Sequence, residues 1–410
     1  MNEKIYRNFA QVLLKVGGNL KPGEILMINA SPRDYLFVRE ITKVAYQMGA
    51  KYVKTDFFDD SANVLRCQYS EEEYLDFYPQ WLSNYLGDSA RDNVCILSLA
   101  NPNPDQNAGL DPERVIRMER AELTGKVPFA KARSDGHVSW VKTCVPCPEW
   151  AQKVYPELEP DQALTKLWED MIKIVRLDAP DPVQAWVDHK NNIRAKKEAL
   201  NRLNLTKLFF HGPGTDLEIG LVDNGTWVGG YDINEKDQSE YIPNIPTEEI
   251  FYVPHKYKIN GTVTATLPLN YHGTIIRDFH MVVKDGRVME YHAKEGLHAL
   301  KNILETDSGS CYFGEIALVT VQSPIYQIGR VFYDTLLDEN AVCHIALGNA
   351  PAGVVAGGTQ MNAEQRDKIG INVSKLHVDF MIGSDQMDVD GLTRDNQRIP
   401  IMRGGDWVIS

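Results

Sequence analysis

The stretch EILMINASPRDYLFVREITKVAYQMGAKYVKTDF, Glu24 to Phe57, reads as strand, helix, strand. Glu24 to Asn29 is a mostly apolar run of strand length. Val38, Ile41, Ala45 and Met48 then recur on one helical face, beginning near Asp34 and closed by Gly49, the residue type favoured just past a helix end. Lys51 to Phe57 is the next strand. Outward from this unit, Phe9, Val12, Leu13 and Val16 predict an amphipathic helix over 2–16, stopped by Gly17 and Gly18. A helix over about 71–86, a strand through Val94 to Leu99, and a helix capped by Asp111 with Pro112 in its first turn continue the alternation. Such alternation predicts a parallel sheet covered by helices. The segment MINASPRD after the first strand lacks the glycine fingerprint of a dinucleotide site, so no such cofactor is expected.

Helices are expected at 161–176 and 181–200, with Lys190, Arg194, Lys196, Lys197 and Arg202 on a solvated face. After Leu205 the texture changes to short β-rich segments: Lys207–His211, Asp216–Leu221, Thr262–Thr266, Asp278–Val283 and Arg287–Glu290. The expected fold class is therefore α/β. An N-terminal α/β domain with a largely parallel sheet, residues 1–200, precedes a β-rich α+β domain, residues 201–410. At roughly 150 residues per domain, a chain of 410 residues suits two.

Lys and Arg number 43 against 56 Asp and Glu, a net charge of −13 that repels phosphate backbones and anionic lipid. No nucleic-acid partner and no membrane association are expected. Six scattered cysteines make no disulfide scaffold, and Glu3, Lys4, Arg7 and Lys15 interrupt any secretory apolar region, which together predict a reducing cytoplasm. The longest interval without Asp, Glu, Lys or Arg, Asn340 to Ala363, contains His344, Asn349, Pro351, Gln360 and four glycines, and reads as buried protein interior rather than a membrane span. The Cys144-Val-Pro-Cys147 pair has redox or zinc spacing but no second pair, and Gly212-Pro-Gly214 reads as a turn.

Eight of the ten histidines lie at or beyond His211, which directs the search for chemistry to the second half. Four segments there set carboxylates or imidazoles among apolar neighbours: NIPTEEIF (244–251), FGEIALV (313–319), DENAVCHIALG (338–348) and HVDFMIGS (377–384). Burying an unpaired carboxylate such as Glu315 costs several kcal/mol, so it needs a cation. His377 and Asp379 fall on the same side of an extended strand, because side chains alternate with period two. Each segment alone also suits a salt-bridged or hydrogen-bonded structural pair; four together favour one shared site. Glu249, Glu315, Glu339 and Asp379 carry four negative charges, enough to neutralise two divalent cations, while His344 and His377 add neutral nitrogen donors.

These segments with GPGTDLEIGL (212–221), in this order, resemble the M29 family of metallo-aminopeptidases, the aminopeptidase T and aminopeptidase S group, over the whole chain. The resemblance implies a hydrolase that removes N-terminal residues from peptides with two divalent metal ions, zinc or cobalt, and that works as a homodimer. It implies as ligands Glu249, Glu315, Glu339, His344, His377 and Asp379, with Glu315 shared between the metals and a candidate bridge or base.

One position departs from the family pattern. The family's HIALG segment continues to a tyrosine with a catalytic role, and Pro351 stands there, with neither hydroxyl nor backbone N–H. Loss of one oxyanion donor costs about 10²- to 10³-fold in rate. Two further readings follow: a catalytically impaired homologue, or a non-haem Fe(II) ring-cleaving dioxygenase using His344, His377 and Asp379 as its two-histidine, one-carboxylate set.

Overall fold

A computed structural model describes residues 3–409 apart from Asn93 and His272. Asn2, the expected first residue of the opening helix, lies outside the described residues. In chain order the first elements are α1 (Glu3–Val12), β1 (Ile25–Ala30), α2 (Tyr35–Gln47), β2 (Tyr52–Phe57), α3 (Asp60–Tyr69), α4 (Gln80–Ser89) and β3 (Val94–Ala100). They continue with α5 (Pro112–Gly125), α6 (Val127–Ser134), β4 (Ser139–Cys144), α7 (Pro148–Val154), α8 (Pro160–Ile174) and α9 (Pro182–Leu203). β5 (Leu205–Gly212) and β6 (Thr215–Leu221) form a hairpin, followed by β7 (Asp232–Asn234), β8 (Ser239–Tyr241) and β9 (Asn244–Ile245). The remainder comprises β10 (Ile250–Tyr252), β11 (Pro254–Thr264), β12 (Leu269–Tyr271), β13 (Thr274–Lys284), β14 (Arg287–Glu295), α10 (Leu297–Leu304) and β15 (Phe313–Leu318). It ends with α11 (Pro324–Ile328), α12 (Thr335–Asp338), β16 (His344–Gly348), α13 (Ala363–Lys368), β17 (His377–Met381), β18 (Asp388–Thr393), β19 (Arg398–Arg403) and β20 (Asp406–Trp407).

The chain divides into two compact units, one built from residues 1–189 with 231–246, the other from 190–230 with 247–410. The division falls inside α9 and the chain revisits the first unit once, which a single cut near residue 200 does not describe. The first unit holds a five-stranded sheet in the order β2-β1-β3-β4-β9, parallel throughout. Its inner strands β1 and β3 are apolar runs because helices cover parallel sheets; Leu26, Ile28, Cys95 and Leu97 are fully buried, as is Val141 on β4. Edge strand β2 instead carries Lys54 and Asp56 and has no buried residue. Gly17 and Gly18 end the opening helix in a π-helical turn, Leu13–Gly17, and they do so by allowing close approach rather than by backbone freedom. A Cβ on Gly17 would lie 2.7 Å from Val141 Cγ2, and one on Gly18 2.4 Å from Cys95 Sγ.

The single helix expected over 71–86 is not formed. The chain makes α3 before it, a 3₁₀ turn at Glu72–Tyr74, and α4 only after Pro79. Proline lacks the N–H a continuous helix requires and biases its predecessor away from helical geometry. α3 has no counterpart among the expected helices because Cys67 is its one buried residue, so its sequence carries little periodic signal.

In the second unit a nine-stranded antiparallel sheet runs β12-β13-β11-β6-β5-β18-β19-β20, with β14 beside β13. A four-stranded antiparallel sheet runs β10-β15-β16-β17. The two share one core, in which Phe279 of β13 meets Phe380 of β17 at a ring-centroid distance of 5.3 Å. The cations of α9 are not simply solvated: Lys196 Nζ donates to Ile409 O at 2.6 Å and Lys197 Nζ to Gly229 O at 3.3 Å. Among the described residues no helix is long and apolar enough to cross a membrane. The charge-free interval is buried as far as Ala350, but much of Gly353–Ala363 is exposed, so only its first part is interior.

Candidate metal centre

Strand alternation builds the site on the four-stranded sheet. Ile316, Leu318, Ile345, Leu347, Val378 and Phe380 all belong to the shared core, so their sequence neighbours face the other way. That opposite face carries Glu315 and Ala317 on β15, His344, Ala346 and Gly348 on β16, and His377 and Asp379 on β17. Register aligns them: Glu315 pairs with Ala346 and Ala346 with Asp379, while Ala317 pairs with His344 and Gly348 with His377. Strands lie about 4.8 Å apart, so Glu315 and Asp379 stand roughly 10 Å apart at the backbone with only the Ala346 methyl between them. Small side chains in the middle strand leave room for the carboxylates on either side.

Glu315 reaches this face through a β-bulge. Phe313 pairs with Leu347 and Glu315 with Ala346, so two steps along β15 match one along β16. Without the extra residue, Phe313 and Glu315 would share a face; with it, Phe313 enters the core and Glu315 the site. The bulged residue is Gly314, where a Cβ would lie 2.4 Å from the carbonyl oxygens of both Gly348 and Asn349.

Ligand-type atoms of Glu249, Glu315 and His344 all lie within 4.8 Å of one another, the spacing of a group able to hold a metal ion. His344 Nε2 is 3.1 Å from Glu249 Oε2. His377 Nε2 is 3.4 Å from Asp379 Oδ2 and 3.6 Å from Glu315 Oε2, so Glu315 belongs to both halves. Both imidazoles are oriented alike from behind. His377 Nδ1 lies 2.7 Å from Asn349 O and His344 Nδ1 3.3 Å from Val342 O. A carbonyl only accepts, so each Nδ1 donates and each Nε2 is presented to the carboxylates. His377, with 36% of its side-chain surface exposed, marks the side on which the site opens.

Glu339, at the end of α12, stands outside the closest group, yet the charges of Glu249, Asp379 and Glu315 act on it. Asn340, fully buried, ties these segments together. Its Oδ1 accepts from Glu248 N at 2.7 Å, while its Nδ2 donates to Leu336 O at 2.8 Å and approaches Glu339 Oε1 at 3.4 Å. Asn340 and the Asn349 carbonyl are the positioning groups that sequence reading missed. Neither has a sequence signal of its own: Asn340 merely follows the suspected ligand Glu339, and Asn349 adjoins no suspected ligand.

The electrostatics are those of acids crowded together out of water. Burial, reinforced by Asp379 and Glu249, pushes Glu315 up to about 8. Burial and its acidic neighbours hold Glu339 well above the carboxylate range. Burial opposes charge on both histidines and is the largest single influence. The hydrogen bond to Glu249 together with the charges of Glu249, Asp379 and Glu315 outweighs it and lifts His344 to about 9, and the bond to Asp379 with the charges of Asp379 and Glu315 lifts His377 to about 10. Asp379 is held low: burial raises it, but its bond to His377 and the charges of His377 and His344 together overcome that, yet its Oδ1 is a buried acceptor with no partner. Crowded carboxylates and an orphaned acceptor fit divalent cations, which supply the missing positive charge. A single iron on His344, His377 and Asp379 would leave Glu249 and Glu315 in contact with those histidines without a role.

The family model described as thermophilic metalloprotease (M29) matches residues 2–407. The chain belongs to the M29 family. Among M29 relatives, aminopeptidase 2 of Geobacillus stearothermophilus is 38% identical over 405 residues, 99% of this chain and 98% of the relative. Aminopeptidase AmpS of Bacillus subtilis (strain 168) is 38% identical over 97% of each chain. Aminopeptidase T of Thermus aquaticus is 36% identical over 98% of this chain and 97% of its own. A solved structure, wild-type AmpT from Thermus thermophilus, superposes with a TM-score of 0.93 at 35% identity and covers 99% of both chains.

Proposed function

We propose that this M29 protein is a metal-dependent aminopeptidase that hydrolyses peptides from the N-terminus at a two-cation centre. Glu249, Glu315, Glu339, His344, His377 and Asp379 hold the cations, zinc or cobalt. The observation that carries this reading is the single buried face on which carboxylates and two outward-turned Nε2 atoms converge, with Glu315 common to both halves. Glu315 would be the ligand shared between the cations, with Glu249 and His344 available to one and His377 and Asp379 to the other. Bound divalent cations supply Lewis acidity toward the scissile carbonyl and toward water.

The chain's own groups set the geometry. Asn349 and Val342 carbonyls fix the imidazole tautomers, and Asn340 holds the Glu249 and Glu339 segments in register. Pro351 stands where the resemblance expects an oxyanion donor, and it heads the 3₁₀ turn Ala352–Val354 with no N–H of its own to offer. Peptidase turnover is therefore low. The protein acts as a homodimer in a reducing cytoplasm; the resemblance supports the dimer, and six free, buried cysteines suit the compartment.

The test is metal quantification by mass spectrometry alongside a screen of aminoacyl p-nitroanilides and dipeptides. Two zinc- or cobalt-type ions per chain with chelator-sensitive release of amino acid is the expected result. Full metal loading with no release from any substrate, or one iron with oxygen consumption, would refute it.

A further inference from the structure

Three ligand-bearing strands meet at one end of the four-stranded sheet. β15 begins there with Phe313, β16 ends with Gly348 and β17 begins with His377, since neighbouring strands run antiparallel. Asn372, in the segment leading into β17, has no exposed surface and ties these ends together. Its Nδ2 donates to Gly348 O at 2.6 Å and to Gly309 O at 2.8 Å, with Tyr312 O a third acceptor at 3.4 Å. Gly309 and Tyr312 lie in the turn between α10 and β15.

The same residue holds the chain beyond β16 from both sides. Gly348 O accepts from the Asn372 side chain, and Ala350 N donates to the Asn372 carbonyl at 3.0 Å. Between these contacts stands Asn349, whose N donates to Leu376 O at 2.7 Å and whose O accepts from His377 Nδ1 at 2.7 Å. Both planar peptide groups flanking the Asn349 Cα are therefore bonded at both ends, each once to Asn372 and once to Leu376 or His377. The peptide that orients His377 cannot rotate without breaking its bond to Asn372. Gly348, at a φ of 95°, makes the bend on which this depends, and a Cβ there would lie 2.3 Å from Leu376 O.

The Asn372 amide is seated at an energetic cost. Its Oδ1 is a buried acceptor with no hydrogen-bond partner among the described residues. Turning the amide over would aim that oxygen at three carbonyl oxygens, so its orientation is fixed. Buried polar groups are normally paired, and one left unpaired opposes folding. An apolar side chain of similar shape would avoid the orphaned oxygen but would offer nothing to Gly348 O.

We propose that Asn372 is a positioning residue for metal binding: by fixing the Asn349 carbonyl it fixes the tautomer and direction of His377, and so sets the affinity for the cation that His377 and Asp379 hold. It acts through that carbonyl and not by contact with the cation or the peptide. The inference rests on the two-cation reading of the site. Outer partners of metal-binding imidazoles contribute about 10- to 100-fold in metal affinity.

The test is graded chelator dialysis of the zinc-loaded protein, with metal counted per chain by mass spectrometry and Tm measured on each sample. Asn372→Leu stays close to the native shape and removes the donors; Asn372→Ser is the milder change should the leucine variant not fold. In either, one zinc should leave at about 10- to 100-fold higher free zinc than in the parent, while the other is held as in the parent. Ile259→Ala, a truncation of a fully buried side chain in β11, should lower Tm without separating the two zinc ions. The effect of the Asn372 variants should vanish when His377→Ala is already present, because it is exerted through that imidazole. A parent with fewer than two zinc ions refutes the two-cation reading and this inference with it. With two in the parent, the inference alone is overturned if the Asn372 variants hold both zinc ions as the parent does, release both together, or weaken binding equally with and without His377.

Discussion

Replacing Gly314 by alanine puts a methyl group where the second unit has no space for one. The new Cβ would sit 2.4 Å from two carbonyl oxygens, those of Gly348 and Asn349, and both belong to backbone that cannot swing aside as a flexible side chain would. Relief requires β15 and the end of β16 to separate by about 1 Å, since ordinary contacts begin near 3.5 Å. Overpacking of this kind costs about 1–3 kcal/mol. For a unit of this size that lowers Tm by roughly 2–4 °C per kcal/mol. The functional loss should exceed the loss of stability. The displaced Asn349 carbonyl is the acceptor that orients His377, at 2.7 Å, and the displaced strand carries Glu315. Misplacing a catalytic constellation by about 1 Å costs on the order of 10²-fold in rate. The assay is kcat/KM on an aminoacyl p-nitroanilide, with metal content per chain and Tm on the same sample. A Gly314→Ala protein with parental Tm, full metal content and parental kcat/KM would refute the bulge as the device that turns Glu315 into the site.

Asn340→Ala leaves the Glu248 N–H and the Leu336 carbonyl without their buried partner, at about 1–3 kcal/mol for each unsatisfied group, and should lower Tm and speed metal loss to a chelator; unchanged metal retention would argue against its positioning role. Asp34 should make the first unit less stable as pH rises. Burial, only partly offset by the Asn101 bond, lifts its folded pKa from 3.8 to about 6, so its contribution is fully present below pH 3.8 and is lost as pH passes 6. A rise of that size corresponds to about 3 kcal/mol, and Asp34→Asn should flatten the Tm profile between pH 4 and 6 and raise Tm above it; a profile identical to the parent's would refute this. Pro351→Tyr, which restores a hydroxyl beyond HIALG, should raise kcat by up to about 10²-fold with metal content unchanged, and no gain would mean that the oxyanion is already served by another group.

How much of this is legible in the sequence depends on whether the signal is local. The alternation from Glu24 to Phe57 is written in residue order, because a buried parallel strand must be apolar and a covering helix must be amphipathic. HVDFM likewise states its own geometry: a period-two strand with Val378 and Phe380 on the core side puts His377 and Asp379 together on the other. Glu315 stands out in the sequence as an acid in an apolar run, but alternation from Phe313 assigns it to the core face. The bulge that corrects this is a relation between β15 and β16 and cannot be seen in either strand alone. Asn340 carries no comparable signal because its value lies in bridging Glu248 to Leu336, residues far apart in sequence but adjacent in the fold. Asp34 reads as the beginning of a helix, which it is, since α2 follows it directly. Its burial beside Asn101 depends on β1 and β3 being sheet neighbours, a pairing across some 70 residues of chain. The acidic balance of −13 therefore has two local meanings that composition could not separate. In the second unit Glu315 and Asp379 gather on one strand face, as divalent cations require, whereas beyond the end of β2 Asp59 and Asp60 stand on the wall of a separate cavity without converging on such a group.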